Sequence, residues 1–284
     1  MFNNIGHEYR ARLTGRLMPL KRWWTSDGCL SPMKEGKSMK AMQRKSAILG
    51  IFAMGWACTV LAEPWGYSGE TGPDRWSELD AEYAMCDMGR NQSPINLAAA
   101  VEADLTPLEL DYRNEAADIV NNGHTVQVNY AAGSILTVDG HAFELKQFHF
   151  HSPSENHIQD ESFPLEAHLV HADMEGNLAV VAVMFEEGEP NPLLSELWQA
   201  IPAEAEADNT LPSGLSVEQM LPSDRDYYRF NGSLTTPPCS EGVWWLVLKE
   251  AATVSTAQVE QFSKTLGFAN NRPIQPVNAR PVLQ

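Results

Sequence analysis

Gln147-Phe148-His149-Phe150-His151 alternates polar and phenyl side chains one residue at a time. Such alternation fits an extended strand, in which residues i and i+2 point to the same face. The two phenyl rings are expected in a core and the two imidazoles together on the other side. A second strand, Glu166-Ala167-His168, can bring a third imidazole alongside after a polar loop. Three imidazoles around one point leave a tetrahedral ion one open position, which separates catalytic from structural zinc.

A His-x-His pair alone is weak evidence for a metal, and a lone strand histidine is usually a core or surface residue. The surroundings change the reading. A ligating histidine normally donates its other ring N–H to an acceptor that fixes its direction. Gln147 stands two residues before His149, and Glu166 two before His168, each on the strand face of the histidine it would support. His171 differs in strand parity from His168 and is expected to face a core. His141 and His157 are expected to be ordinary loop residues.

Charge divides the chain. Residues 1–62 carry a net charge of +7 and residues 63–284 a net of −24. So acidic a body argues against nucleic acid or an anionic membrane as partner. Ala47 to Ala62 is uncharged, follows Lys40, Arg44 and Lys45, and ends with Val60 and Ala62 three and one residues before Glu63. This is the pattern of a secretory signal at about residues 39–62, shorter than the roughly 20 residues of a membrane span. The residues before Met39 do not fit a signal, so translation is expected to begin at Met39 or Met42. Periplasmic or secreted export follows, with no stable membrane span after processing. Cys29 and Cys58 fall in the segment expected to be lost. Cys86 and Cys239 remain, an even pair in an oxidising compartment, and a disulfide is the default.

Beyond the signal, one domain over 63–284 is the simplest organisation. Strand patterns run through Thr125–Tyr130, Ser134–Asp139, Ala142–His151, Leu165–His171, Leu178–Glu187 and Val243–Glu250, with turn signals such as Asn122-Gly123 and Asp139-Gly140. Pro192–Ile201 and Thr256–Thr265 are the best helices, the second with Thr256 as N-cap and Gly267 past its end. The fold class is mainly β: an antiparallel-rich sheet with short peripheral helices.

The chain resembles the α-class carbonic anhydrases, bacterial and exported in type. The motifs carrying this are Asn91-Gln92-Ser93-Pro94-Ile95, Asn121-Asn122-Gly123-His124, Gln147 to His151, Ser154-Glu155-Asn156, Glu166 to His171, Gly232-Ser233-Leu234-Thr235-Thr236-Pro237-Pro238, Asn270-Asn271-Arg272-Pro273 and Gln275-Pro276. They span nearly the whole mature chain. The resemblance implies a twisted, mostly antiparallel sheet of about ten strands. It implies zinc-dependent, reversible hydration of carbon dioxide to bicarbonate and a proton, through zinc-bound hydroxide.

By position, His149, His151 and His168 would be the zinc ligands, supported by Gln147, Glu166 and a backbone carbonyl near Asn271. Thr235 and Glu155 would orient the hydroxide, and His124 would shuttle the proton. Thr236 would meet the substrate beside an apolar wall of Val170, Val180, Leu234, Val243 and Trp245. Tyr67, Asn122 and Gln127 would order water, although Gln127 replaces a more usual Asn. The partners implied are carbon dioxide and bicarbonate, with room for a homodimer. Two other readings stay open here: a related binding module without catalysis, and a His-x-His oxygenase on a β-barrel. The oxygenase would favour iron with a carboxylate ligand and leaves Thr235-Thr236-Pro237-Pro238 unexplained.

Overall fold

The computed structural model describes residues 65–284. The signal-like segment, Cys29 and Cys58 lie outside the described residues. The chain enters through an arm with two short helices, α1 (Trp76–Leu79) and α2 (Met85–Met88). Strands then follow as β1 (Glu109–Asp111), β2 (Ala116–Asn121), β3 (Val126–Tyr130), β4 (Ile135–Val138), β5 (His141–His151), β6 (Leu165–Ala172) and β7 (Leu178–Glu187). Helix α3 (Pro192–Ala200), β8 (Ala207–Thr210), β9 (Tyr227–Ser233), β10 (Glu241–Leu248), β11 (Ala252–Val254) and α4 (Thr256–Leu266) complete it.

All 11 strands form one sheet with the main order β8-β2-β3-β5-β6-β7-β10-β9. β4 joins β5 and β1, and β11 joins β7. Among the described strands, the β7–β10 and β7–β11 pairings are parallel and the rest antiparallel. The expected mainly-β, mostly antiparallel architecture is what the chain adopts.

β7 shows how the sheet separates its two sides. Ala179, Val181, Val183 and Phe185 belong to the larger apolar core, while Val180, Ala182 and Met184 belong to a second cluster. Successive side chains point to opposite faces, so these clusters lie on opposite sides of the sheet. β5 obeys the same parity: Phe148 and Phe150 are fully buried in the larger core, and His149 and His151 face the other way. Each buried phenyl contributes about 1.5–3 kcal/mol through the apolar area it removes from water.

Two helices brace the ligand strand from behind. Phe150 meets Trp198 of α3 edge-on at 4.9 Å, and Trp198 stacks on Phe262 of α4 at 5.7 Å. Trp198 Nε1 donates to Gln258 O at 2.9 Å, and Gln258 Nε2 donates to Asn191 O at 2.8 Å. Asn191 caps α3, with Pro192 next where its missing N–H costs nothing. The N-cap of α4 is Ser255, not Thr256. Ser255 lies three residues before Gln258, the spacing of a reciprocal capping box. Gly267 ends the helix in the left-handed conformation, as expected.

One histidine departs from expectation: His141 opens β5 rather than lying in a loop, and packs beside Phe143 and Trp244. His157 lies in the loop between β5 and β6 and forms an isolated parallel bridge with Asn96, its amide donating to Ile95 O at 3.1 Å. His171 is a core residue: fully buried, with Nε2 2.8 Å from the Tyr112 hydroxyl.

Candidate metal centre

Strand register builds the centre. His149 of β5 pairs directly with His168 of β6, and His151 pairs with Glu166. His149, His151 and His168 each offer one nitrogen, all within 4.8 Å of one another. The opposite nitrogen of each ring is held. Gln147 Oε1 lies 2.9 Å from His149 Nδ1, and Glu166 Oε1 lies 2.9 Å from His168 Nε2. Asn270 O lies 2.7 Å from His151 Nδ1. The carbonyl therefore comes from Asn270 and not Asn271. Asn270 is fully buried, and its side chain also donates to Phe150 O and His124 O.

The free nitrogens are thus Nε2 of His149 and His151 and Nδ1 of His168. His151 Nε2 is buried with no hydrogen-bond partner, an expense unless the atom has another use. Burial lowers the pKa of all three rings. They stay neutral near pH 7 and keep their lone pairs for a cation. The donor set fits zinc: three neutral imidazoles with one position left open.

Glu166 is fully buried and saturated. Its two oxygens accept from Glu155 N, Asn156 N and Asn156 Nδ2 as well as from His168. Burial pushes its carboxyl upward, but four N–H donors favour an ionised acceptor, and we take the charged form as the working one. Glu155 is also buried. Its Oε1 accepts from the Arg272 amide at 2.8 Å, while Oε2 has no hydrogen bond of ordinary geometry. Burial raises its pKa strongly, and the Arg272 amide and the Thr235 hydroxyl pull it back.

Thr235 sits in a loop that the chain ties at several points. Leu234 N donates to Ser240 O at 3.0 Å, and Cys239 N to Thr236 O at 2.9 Å. Cys239 is bonded to Cys86 across a sequence separation of 153 residues. Ser93 and Ser233 exchange backbone-to-hydroxyl hydrogen bonds at 2.9 and 3.1 Å. Gly232 leaves the room for this: a Cβ there would stand 2.1 Å from Ser93 Oγ and 2.8 Å from Trp245 Cδ1. Five apolar residues come together on the side of the imidazoles. Val180, Val243 and Trp245 share the second cluster, with Val170 and Leu234 packed on it. Trp245 meets His168 edge-on at 4.9 Å.

His124 is half-buried, its ring stacked on Trp65 at 3.8 Å with 10° between planes. Burial lowers its pKa below the ordinary imidazole value. Asn122 caps this turn, Oδ1 accepting from His124 N and Thr125 N. Gln127 donates to Asn129 Oδ1 at 2.7 Å. Tyr67 lies edge-on to Trp65 and stacks on Phe268. Sequence reasoning missed Trp65 as the neighbour of His124, and also the guanidinium of Arg272. That group reaches Gln92 Oε1, Ser93 O and Cys86 O and lies over Trp76.

A mostly antiparallel sheet carrying three convergent imidazoles on one face defines a catalytic metal site rather than a structural one. The profile of the eukaryotic-type carbonic anhydrase family matches residues 71–284. A carbonic anhydrase of Pectobacterium atrosepticum is 47% identical over 219 residues, covering 77% of this chain and 90% of its own length. The α-carbonic anhydrase of Thermovibrio ammonificans, solved with sulfanilamide, is 49% identical with a TM-score of 0.76, over 78% of this chain and 99% of that one. The α-carbonic anhydrase of Photobacterium profundum is 50% identical with a TM-score of 0.74, over 78% and 100%. The chain belongs to the α-class, or eukaryotic-type, carbonic anhydrase family. It is a zinc-dependent enzyme that interconverts carbon dioxide and bicarbonate.

Proposed function

We propose that His149, His151 and His168 hold the zinc, that Thr235 and Glu155 orient the attacking group, and that His124 carries the proton away. The convergence of three ring nitrogens, each with its opposite nitrogen separately held, carries this reading. When bound, zinc supplies a Lewis acid that makes water a nucleophile at neutral pH.

The protein's own groups do the rest. Glu155 Oε2, with no N–H donor on it, is the acceptor for the Thr235 hydroxyl proton. An ionised carboxylate only accepts, whereas a hydroxyl does both. With its proton committed to Glu155, the Thr235 oxygen can only accept, and it selects nucleophiles that donate to it. Val170, Val180, Leu234, Val243 and Trp245 exclude water from the carbon dioxide side, and Thr236 is the polar neighbour there. Tyr67, Asn122 and Gln127 border the route toward His124. Because Asn122 Oδ1 is committed to backbone amides, its side chain offers water only N–H donors.

Export to the periplasm or beyond is the proposed location, after removal of the segment at about residues 39–62. The Cys86–Cys239 bond supports an oxidising compartment. No helix among the described residues is long and apolar enough to cross a membrane. Light scattering on the purified protein tests for the homodimer.

The decisive experiment is zinc content measured with carbon dioxide hydration. The wild type should hold one zinc per chain, and His168→Ala should lose both metal and rate. Full zinc and full rate in that variant would overturn the ligand assignment.

A further inference from the structure

We propose that Glu206 is a positioning residue for proton export: its carboxylate, held over the backbone at Gly123, acts on the neighbouring His124 ring and retains the departing proton there. This rests on the reading of His124 as the proton carrier.

The geometry comes from the connection between α3 and β8. β8 pairs with β2, setting Ala207 opposite Asn121. One residue earlier, Glu206 N donates to Asn121 O at 2.7 Å. Glu206 has a φ of 60°, in the left-handed region that non-glycine residues avoid unless their surroundings impose it. This conformation places its side chain over the Asn122-Gly123 turn. Glu206 Oε1 lies 3.4 Å from where a Cβ on Gly123 would stand. Gly123 itself has a φ of 78°, and His124 follows it directly.

The arrangement answers a specific difficulty. Stacking on Trp65 shields the His124 ring from water, and an imidazolium loses solvation there. Burial accordingly lowers its pKa, and Glu206 is the charge that opposes the shift. The other groups packed on this residue, the Trp65 ring and the Asn270 amide, are uncharged. Tyr67, edge-on to Trp65, stays a neutral phenol because burial raises its pKa well above the usual range. A carrier that binds its proton too weakly cannot take one from the centre. Glu206 compensates, and because it is solvent-exposed its influence falls with salt.

The test is an NMR titration of the His124 ring in the zinc-loaded full chain, comparing wild type with Glu206→Gln. A single exposed charge acting on a nearby ring through a water-like dielectric is enough to change a dissociation constant about threefold. Glu206→Gln should raise the His124 proton-dissociation constant by about that factor at low salt. The difference should close near 1 M salt, and Glu206→Asp should retain part of the effect. In weak buffer the pH profile of kcat should move the same way, with the effect on kcat rather than on kcat/KM. Superimposable titrations at low salt would overturn the proposal. A shifted titration with full kcat in His124→Ala would overturn the carrier reading and the catalytic half of the proposal, leaving only the charge–ring contact.

Discussion

Arg272 and Glu155 are joined through the main chain, the Arg272 amide donating to Glu155 Oε1 at 2.8 Å while the guanidinium turns into the N-terminal arm. One residue therefore fixes a carboxylate beside the metal centre and holds the segment around Cys86 and Ser93 against it. Burial lowers the guanidinium pKa to about 10, so it remains charged at neutral pH.

Arg272→Ala should destabilise the fold by roughly 3–5 kcal/mol, because it leaves the buried Ser93 carbonyl and Gln92 side-chain oxygen, and the part-buried Cys86 carbonyl, without this donor. Denaturant unfolding with the disulfide intact measures this. Arg272→Lys should lose much of it too, since one ammonium cannot reproduce the planar fork. Wild-type stability in both variants would show that the network contributes nothing.

His124→Ala should lower kcat in dilute buffer and leave kcat/KM for carbon dioxide nearly unchanged. Recapture of a proton by diffusion cannot exceed roughly 10¹⁰ M⁻¹s⁻¹. An acid of pKa about 7, the value characteristic of such zinc centres, therefore releases protons to water no faster than about 10³ s⁻¹. Turnover above that ceiling needs a relay. Stopped-flow assays with added imidazole should recover much of the loss, and an unchanged kcat without buffer would exclude His124.

His171 predicts a pH dependence of stability. Burial depresses its pKa from the ordinary 6.5 to about 4. The unfolded chain then binds the extra proton between those values, and stability falls as pH drops from about 6.5 toward 4. The full contribution, about 3 kcal/mol, is present above pH 6.5. Urea midpoints from pH 7 to 4.5 should decline less steeply in His171→Gln than in the wild type. Parallel curves would mean that this ring is not buried neutral.

Reduction of Cys86–Cys239 should destabilise by at most about 5 kcal/mol, the chain-entropy figure for a loop of this length. The unfolded, unreduced protein should show no free thiol from this pair. Because Cys239 closes the Thr235 loop, activity should fall at lower denaturant concentrations than sheet structure does. Circular dichroism followed beside hydration rate measures the gap, and coincident transitions would uncouple the bond from the site.

The parts of the site written in side chains were legible. His149 and His151 announced themselves through alternation with Phe148 and Phe150, and the two-residue offsets of Gln147 and Glu166 identified the supports of His149 and His168. Asn270 was placed one residue off because a carbonyl oxygen is carried by every residue, and sequence does not say which one points inward. β9 was missed since Tyr227-Tyr228-Arg229-Phe230-Asn231-Gly232-Ser233 lacks clean alternation and contains a glycine, which strands normally avoid. Only contact with Ser93 and Trp245 explains that glycine. Thr256 and Ser255 are equally able caps, and the distance to Gln258 decides between them. Glu206 carried no signal at all, because its relation to His124 depends on β8 returning to β2.

The parity of β7 has a consequence for how this enzyme can change. Odd-numbered positions from Ala179 to Phe185 belong to the larger core, and the even-numbered Val180, Ala182 and Met184 to the second cluster, on the side of the imidazoles. Variation along this one strand should sort by residue number: odd changes disturb the larger core, and even ones the smaller cluster beside the imidazoles, where Val180, Ala182 and Met184 are just as buried. The two cores of the sheet are here separated by a single peptide unit.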